Sequence, residues 1–447
     1  MSDTTDTLTI LNDLLTTAKA KGADAGDAVH IESISLAIAQ RLGNPEKLER
    51  SESADIGLRV FAGKSQAIVS SSDISPEALG ELAERAVAMA KSVPEDPYCG
   101  LAEPDQLATE FADIDSFDSN EPSAETLVDW ANRAEDAARA VEGVTNSEGA
   151  EAGWGQATVS VAATNGFSQT YSGSHYSLST SVLAGEGKEM ERDYDYSGAG
   201  FAEDLRSPED IGRTAGEKAV KRLNPKKVET AQVPVVYDSR AARSLISHFA
   251  AAVNGSSIAR DTSFLKDSMG ELVFGEGITI VDDPHRRRGL RSKPFDAEGV
   301  ANQRREVIQN GRLTTWFLDL RSSRQLGLET TGHAARGTGS PPGPSATNLY
   351  IEAGEQNPED LIKDIDSEFY VTELIGFGVN GLTGDYSRGA SGYWIENGEI
   401  AYPVSEMTIA GNLKDMFLNL TPANDLVFRY GVDAPTIRVD GMTMAGK

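Results

Sequence analysis

The sequence has one cysteine, Cys99, among 447 residues, and five histidines, His30, His175, His248, His285 and His333. A single thiol excludes an intrachain disulfide, and Cys99, in the loop-like stretch EDPYCG, has no histidine near it in sequence to make it a nucleophile. None of the imidazoles stands in an HExxH or HxH arrangement, so a self-contained histidine metal site is not expected. Positive charge is also scarce. Against 69 Asp and Glu there are 41 Lys and Arg, a formal charge of −28 that repels phosphate backbones and argues against a nucleic-acid partner. No apolar run is long enough to span a bilayer, and the start MSDTTDTLTI lacks the basic and apolar regions of a signal peptide. A cytoplasmic protein without membrane contact is expected.

A chain of 447 residues exceeds the roughly 250 to 300 at which single cores stop growing, so two domains are the default. Ser75-Pro76-Glu77 and Ser207-Pro208-Glu209-Asp210 each combine an N-cap hydroxyl, a proline at the first helical position and acid in the first turn. Ser123 caps a third expected helix, with Leu127, Trp130, Ala131 and Ala134 at helical spacing. Segments 56–60, 67–70 and 158–162 read as strands, and Asn165-Gly166 as a hairpin turn. Pro225 and the polar stretch LNPKKVETAQ mark a linker at 223–232 before the apolar strand 233–237. The expected architecture is α+β, with a helix-and-hairpin domain over 1–224 and a strand-rich domain over 233–447 built on a curved antiparallel sheet.

In the second half, Asn310-Gly311 joins 306–308 to 313–317, and Asn397-Gly398 joins 393–396 to 399–402, as hairpins. Asn412 caps a short helix burying Leu413, Met416, Phe417 and Leu420, while GTGSPPGPS at 337–345 reads as an exposed loop. Gly376-x-Gly378-x-x-Gly381 matches the dinucleotide fingerprint after a strand at 369–375, but a glycine-rich loop, not a helix, follows it. Asp282, Asp283 and His285 offer metal donors, although Pro284 more simply marks a turn. The run HRRRGLRSK at 285–293 is the one dense basic patch, read as a solvated loop or a contact with an acidic partner surface.

The stretch 376–417, GFGVNGLTGDYSRGASGYWIENGEIAYPVSEMTIAGNLKDMF, is far more specific than any short signature. With SSIARDTSFL at 256–265, KPFDAEGV at 293–300 and LGLETTGH at 326–333, it resembles the TldD/PmbA family, and within it the PmbA (TldE) branch. The likeness implies an intracellular peptidase of two related subunits, in which TldD carries zinc on an HExxxH helix and PmbA pairs with it. It also brings the family's historical label as a modulator of DNA gyrase, to which the charge lends no support.

The segment 239–255, SRAARSLISHFAAAVNG, matches that zinc helix in position and reads as an amphipathic helix ended by Asn254-Gly255. With His248 on the second histidine, the first falls on Arg243 and the glutamate on Ser244. A permanent cation in a ligand position repels metal, and a serine hydroxyl is no general base near neutral pH. The resemblance therefore implies a subunit without catalytic residues, metal or cofactor of its own, with zinc in a TldD-type partner. It further implies a shared channel in which unfolded peptide adds as a strand. Thr331, Gly332, His333 and Asn348 would contribute to it, as would Gly384, Asp385, Ser387, Arg388 and Gly389, where Asp385 and Arg388 form either a structural ion pair or a ligand contact. A heterodimer is expected, and self-association is compatible with it. The alternatives are a metallopeptidase in its own right, with a homodimer assembling a site from Asp282, Asp283 and His285, and a non-proteolytic regulatory protein.

Overall fold

The protein is described by a computed structural model covering residues 4–446. Its first half is one antiparallel sheet with helices on one face. The strands are β1 (Ala25–Arg41), β2 (Asn44–Ala62), β3 (Ser65–Ser71), β4 (Val144–Ala163), β5 (Ser168–Ala184) and β6 (Glu191–Ala199), in spatial order β3-β2-β1-β4-β5-β6. The helices are α1 (Thr4–Ala20), α2 (Pro76–Ala90), α3 (Ala124–Arg139) and α4 (Pro208–Lys221). Ser75, Ser123 and Ser207 are their N-caps as read, each hydroxyl accepting a backbone N–H three residues on. Leu11, Leu14, Leu15 and Ala18 of α1 and Leu82, Ala83, Ala86 and Val87 of α2 bury against Ile56, Leu58 and Val60 of β2. Where α3 crosses α4 the backbones touch: a Cβ on Gly212 would stand 2.1 Å from the Ala134 carbonyl oxygen.

Strand alternation sends the next residues to the opposite face. Val29 and Val161 there meet Phe167 and, from the second half of the chain, Phe295. The Phe295 ring lies edge-on to Phe111, Phe167 and Tyr171 at 5.0–5.7 Å. The PFDAEG stretch thus fastens the two halves together.

The second half is strand-rich, as expected, and adds parallel pairs to the antiparallel ones. In chain order its strands are β7 (Ala231–Tyr237), β8 (Ile280–Asp282), β9 (Arg305–Gln309), β10 (Arg312–Leu313), β11 (Ala334–Ala335), β12 (Gly343–Pro344), β13 (Leu349–Ile351), β14 (Ser367–Ile375), β15 (Asp385–Glu396), β16 (Glu399–Asn412), β17 (Leu420–Pro422), β18 (Val432–Asp433) and β19 (Ile437–Ala445). One sheet runs β16-β15-β14-β7-β19-β17, with β14 parallel to β7, and β16 pairs again with β19. Five of these strands therefore close into a ring, which removes their free edges. A smaller sheet runs β10-β9-β8-β13-β18, with β13 parallel to β18.

Both Asn-Gly turns fall where read, with Asn310 and Asn397 at positive φ. The strand expected over 313–317 stops at Leu313, because Trp316 and Phe317 turn into the core beside Val253 and Ile258. Leu420 belongs to β17, and the helix before it is Leu413–Leu418. The 337–345 segment is held down rather than free: β11 and β12 pair at its root, and the Thr338 backbone lies so close to β2 that only glycine fits at 57.

Glu368 on β14 is 6% exposed, and its Oε2 has no hydrogen-bond partner among the described residues. Burial, opposed by Arg438 and reinforced by Asp440, Asp364 and Asp366, pushes its carboxyl up to about 8. In the unfolded chain the same group ionises near pH ~4.3. Folding must therefore retain a proton that the unfolded chain releases, and stability falls as pH rises from about 5 to 8. Glu368→Gln is expected to stabilise the fold by about 1–3 kcal/mol at pH 8 and by little at pH 5. Denaturation midpoints across that range check this, and a pH-independent difference would count against it.

Candidate functional site

The helix matched to the family's zinc helix is α5 (Ser239–Ala252), capped by the Asp238 side chain. Ala241, Ala242, Leu245, Ile246 and Phe249 bury one face, leaving Arg240, Arg243, Ser244 and Ser247 on the other. Asn254 does not end this helix but caps the next, Gly255–Ala259, by accepting from the Ser256 N–H.

Each position where the chemistry was sought is engaged in something else. Arg243 donates to the Tyr196 hydroxyl at 3.0 Å, and its guanidinium carbon lies 4.3 Å from the centre of the Tyr430 ring. Ser244 donates to the Ala241 carbonyl. His248 stands edge-on to Tyr386, with ring centres 6.1 Å apart, and its Nε2 is buried without a partner among the described residues. Burial and the nearby Arg388 lower its pKa to about 4, so the ring is neutral at pH 7. One imidazole, with the Arg388 guanidinium nearby, does not fit a zinc ion, which needs about three donors. Among the described residues no group of three His, Cys, Asp or Glu side chains is placed to hold a metal.

At the start of α5 an ion network joins the two halves. Arg240 donates to Asp193 Oδ1 at 3.0 Å and to the Tyr194 and Thr372 carbonyls. Arg222 reaches Asp193 Oδ2 at 3.3 Å and Glu373 at 2.7 Å. Burial alone would push the Asp193 carboxyl up, but Arg240 and Arg222 hold it below its ordinary value. Sequence reading missed Asp193, Tyr194, Tyr196 and Tyr430. They lie far from α5 in the chain, and their shared surface has no local signal.

The nine residues expected in the channel divide into two groups. His333 is 3% exposed and bonds Thr331 Oγ1 at 2.8 Å and Asp282 Oδ2 at 3.1 Å. Asp282 also accepts from the Thr347 N–H and hydroxyl. Gly332, at φ +70°, packs on the Ala301 carbonyl. Asn348 is 2% exposed; it donates to Ser292 and the Asp283 carbonyl and accepts from the Arg291 N–H. These side chains brace loops from within. Of the residues considered for a homodimer metal site, Asp282 is fully buried, and His285 Nε2 pairs with Asn302 at 2.7 Å; Asp283 and His285 are half-buried.

In the second group, on residues 384–389, Asp385 and Ser387 are exposed and Arg388 and Gly389 half-buried, whereas Gly384 is buried against Asn412 and Phe264. Asp385 is exposed, and hydrogen bonds from Thr383 and Asn412 hold its carboxyl below the usual range. Arg388 leans on the Ile375 carbonyl and lies 5.9 Å from the Phe377 ring centre. The two do not form the ion pair that was one expectation, since successive pleats and separate partners part them. Nor is this a sheet edge. β15 pairs with β14 and β16, and Ser387 N donates to Gly378 O, an approach that leaves no room for a side chain at 378. With both of its edges paired, β15 offers no place for a further strand to add.

Two further stretches of the sequence find their place in the structure. No helix follows Gly381, and Val379 pairs back to Tyr386, which rules out the dinucleotide arrangement. Two of the five cations of the basic run are paired within the chain, Arg287 with Asp113 and Asp115 and Arg288 with Asp115, Glu203 and Asp204.

The fold and this helix define a protein of the PmbA/TldD metallopeptidase class. Family models match the PmbA/TldA metallopeptidase domain 1 over residues 26–90, its central domain over 117–223 and its C-terminal domain over 230–446. The chain is 36% identical to metalloprotease PmbA of Escherichia coli O157:H7, covering 98% of this chain and 96% of that one. It is 37% identical to a PmbA homolog of Haemophilus influenzae, with 96% and 94% covered. It belongs to the PmbA/TldD family, in the PmbA branch. Among solved structures, a candidate modulator of DNA gyrase from Bacteroides thetaiotaomicron superposes with TM-score 0.90 at 24% identity, covering 98% of each chain. TldE from Thermococcus kodakarensis superposes with TM-score 0.87 at 21% identity, covering 98% of this chain and 100% of that one.

Proposed function

We propose that this chain is the PmbA (TldE)-type subunit of a two-chain zinc metallopeptidase, in which a TldD-type partner holds the zinc and cuts while this chain guides an unfolded peptide. The observation that carries the reading is α5, which holds a single imidazole and in which Arg243 is clamped between Tyr196 and Tyr430; with His248 matched to the second histidine of HExxxH, Arg243 and Ser244 fall on the ligand and base positions. The metalloprotease named among its relatives would then act through the pair. The cytoplasm is the compartment proposed; among the described residues no helix is long and apolar enough to cross a membrane. The units proposed are 1–224 and 233–447, a division supported by the irregular stretch between α4 and β7.

A partner surface is offered by the turn carrying Ile375, Phe377 and Leu382, all exposed, with Phe377 fully so. Obligate interfaces bury about 2,000 Å² or more. Light scattering of this chain mixed with a TldD-type chain at micromolar concentration and physiological salt is expected to show a heterodimer. Separate species alone would sink the proposal, while homodimerisation of the free chain would not.

Asp385 and Arg388 are the residues proposed to meet substrate, on a hairpin held rigidly from behind. Asp385→Ala together with Arg388→Ala is expected to lower kcat/KM of the complex about tenfold, leaving assembly and zinc content intact. A change confined to KM would mean uniform binding, whereas a fall in kcat would mean that the loop positions peptide against the partner's zinc. Unchanged kinetics across several peptides would leave both residues structural.

A further inference from the structure

Beyond α5, the end of β6 meets the second half of the chain along a cleft of about 260 Å³, lined by residues 198–200, 286–290 and 428–431. Its lining combines glycine backbone with arginine side chains. Asn348 fixes the shape from beneath, packed so closely on Gly289 that a Cβ there would stand 2.8 Å from its Oδ1.

The two acids of the lining, Asp204 and Asp433, are already engaged. Arg287 and Arg288 pair with Asp113, Asp115, Glu203 and Asp204 of the first half. Asp433 accepts from the N–H groups of Arg429, Tyr430 and Gly431. Arg286 and Arg429 remain, with no carboxylate partner among the described residues. The Arg286 guanidinium carbon lies 3.3 Å from the centre of the Phe428 ring, and Tyr350 braces that ring edge-on at 4.9 Å. Stacking uses the flat face of a guanidinium and leaves its in-plane N–H donors for an acceptor. Two guanidinium groups without a carboxylate partner among the described residues, in a cleft whose own acids are already engaged, leave N–H donors for an anion.

The cleft is also continuous with the helix in question. Tyr430, which lines it, packs on Tyr196 at 5.2 Å and carries Arg243 of α5 on its ring. β6 is the terminal strand of its sheet, so an extended chain passing along α5 meets an unpaired strand and then the arginines.

We propose that this cleft binds a peptide carboxylate through Arg286 and Arg429, and so anchors an unfolded substrate by its free C-terminus or by an acidic side chain near its end. The inference rests on the peptide-handling reading above. The test uses the full chain and a fluorescein-labelled ten-residue Gly/Ser/Ala peptide made as the free acid, as the C-terminal amide, and as the amide with a terminal Glu. The free acid is expected to bind about tenfold more tightly than the plain amide, with the preference weakening as salt rises. Arg286→Gln with Arg429→Gln is expected to bring acid and amide together. Arg429→Gln alone, at an exposed residue with no side-chain hydrogen bond or ion pair among the described residues, is expected to remove about half of the preference on a logarithmic scale even if the double variant fails to fold. Tight binding of the Glu-ended amide assigns the site to acidic side chains, and weak binding assigns it to the C-terminus. Equal binding of acid and plain amide would overturn this inference alone. Binding of no peptide at all would remove the peptide-handling reading with it. A single-stranded oligonucleotide that outcompetes the acid and depends on both arginines would overturn the peptide assignment in favour of nucleic acid.

Discussion

Purified alone, the chain is expected to carry zinc well below one ion per molecule and to leave unstructured peptides uncut, and mixing with a TldD-type partner bearing an intact HExxxH helix is expected to produce cleavage. Hydrolytic zinc works by lowering the pKa of bound water and needs an adjacent carboxylate to take the proton. Here the corresponding helix offers one neutral imidazole, a guanidinium and a hydroxyl that already donates to its own backbone. Losing ligand and base together removes groups that act as a unit, so the rate difference is on the order of 10⁴ or more. Near-equimolar zinc released only by a chelator, together with peptidase activity in the isolated chain, would overturn the assignment. Zinc carried by an affinity tag is removed beforehand so that it does not enter the count.

Local rules carried the sequence reading as far as local signals reach. Ser75, Ser123 and Ser207 cap helices because a hydroxyl before a proline or acid in the first turn satisfies orphan N–H groups whatever the fold around it. Asn310-Gly311 and Asn397-Gly398 turn for similarly local reasons. The long strands escaped notice for a physical cause. Residues 44–53 of β2 are exposed throughout, so they show no alternation of apolar and polar residues, and β4 dilutes its pattern with glycine and alanine. α1 carried a readable spacing in Leu11, Leu14, Leu15 and Ala18 but was overlooked among its threonines. At the site, the family pattern led to α5 and to the 384–389 hairpin. It did not separate exposed Asp385 from buried His333, because burial is set by Asp282, 51 residues away.

The largest stability effect is expected at Arg59, where the two halves share a buried charge network. Arg59 donates from Nε to Asp27 Oδ2 at 2.8 Å and from Nη2 to Glu298 Oε1 at 3.2 Å, while Arg336 pairs with the other oxygen of Asp27. Glu298 Oε2 accepts from the Leu320 N–H at 2.9 Å. Burial would push Asp27 up, but Arg336 and Arg59 hold it ionised below its ordinary value. The Glu298 carboxyl is pushed up by burial and by Asp319, and Arg59 is the cation that opposes this. Arg59→Met keeps the length of the side chain but leaves one carboxylate buried and uncompensated, at a cost of about 3–5 kcal/mol. A fall in Tm of about 3–5 °C is expected by thermal denaturation of a chain of 447 residues. Glu298→Gln added to Arg59→Met leaves Asp27 and Arg336 as a balanced pair. The double variant is therefore expected to be more stable than Arg59→Met alone, a sign that only coupling through charge produces. A double variant destabilised by the sum of the two single effects would mean that Arg59 acts through packing and the network contributes nothing as a unit. Since Asp27 and Arg59 lie on the first sheet and Glu298 and Arg336 in the second half, loss of the network is also expected to let the halves unfold in separate steps, visible as two transitions where the native chain shows one.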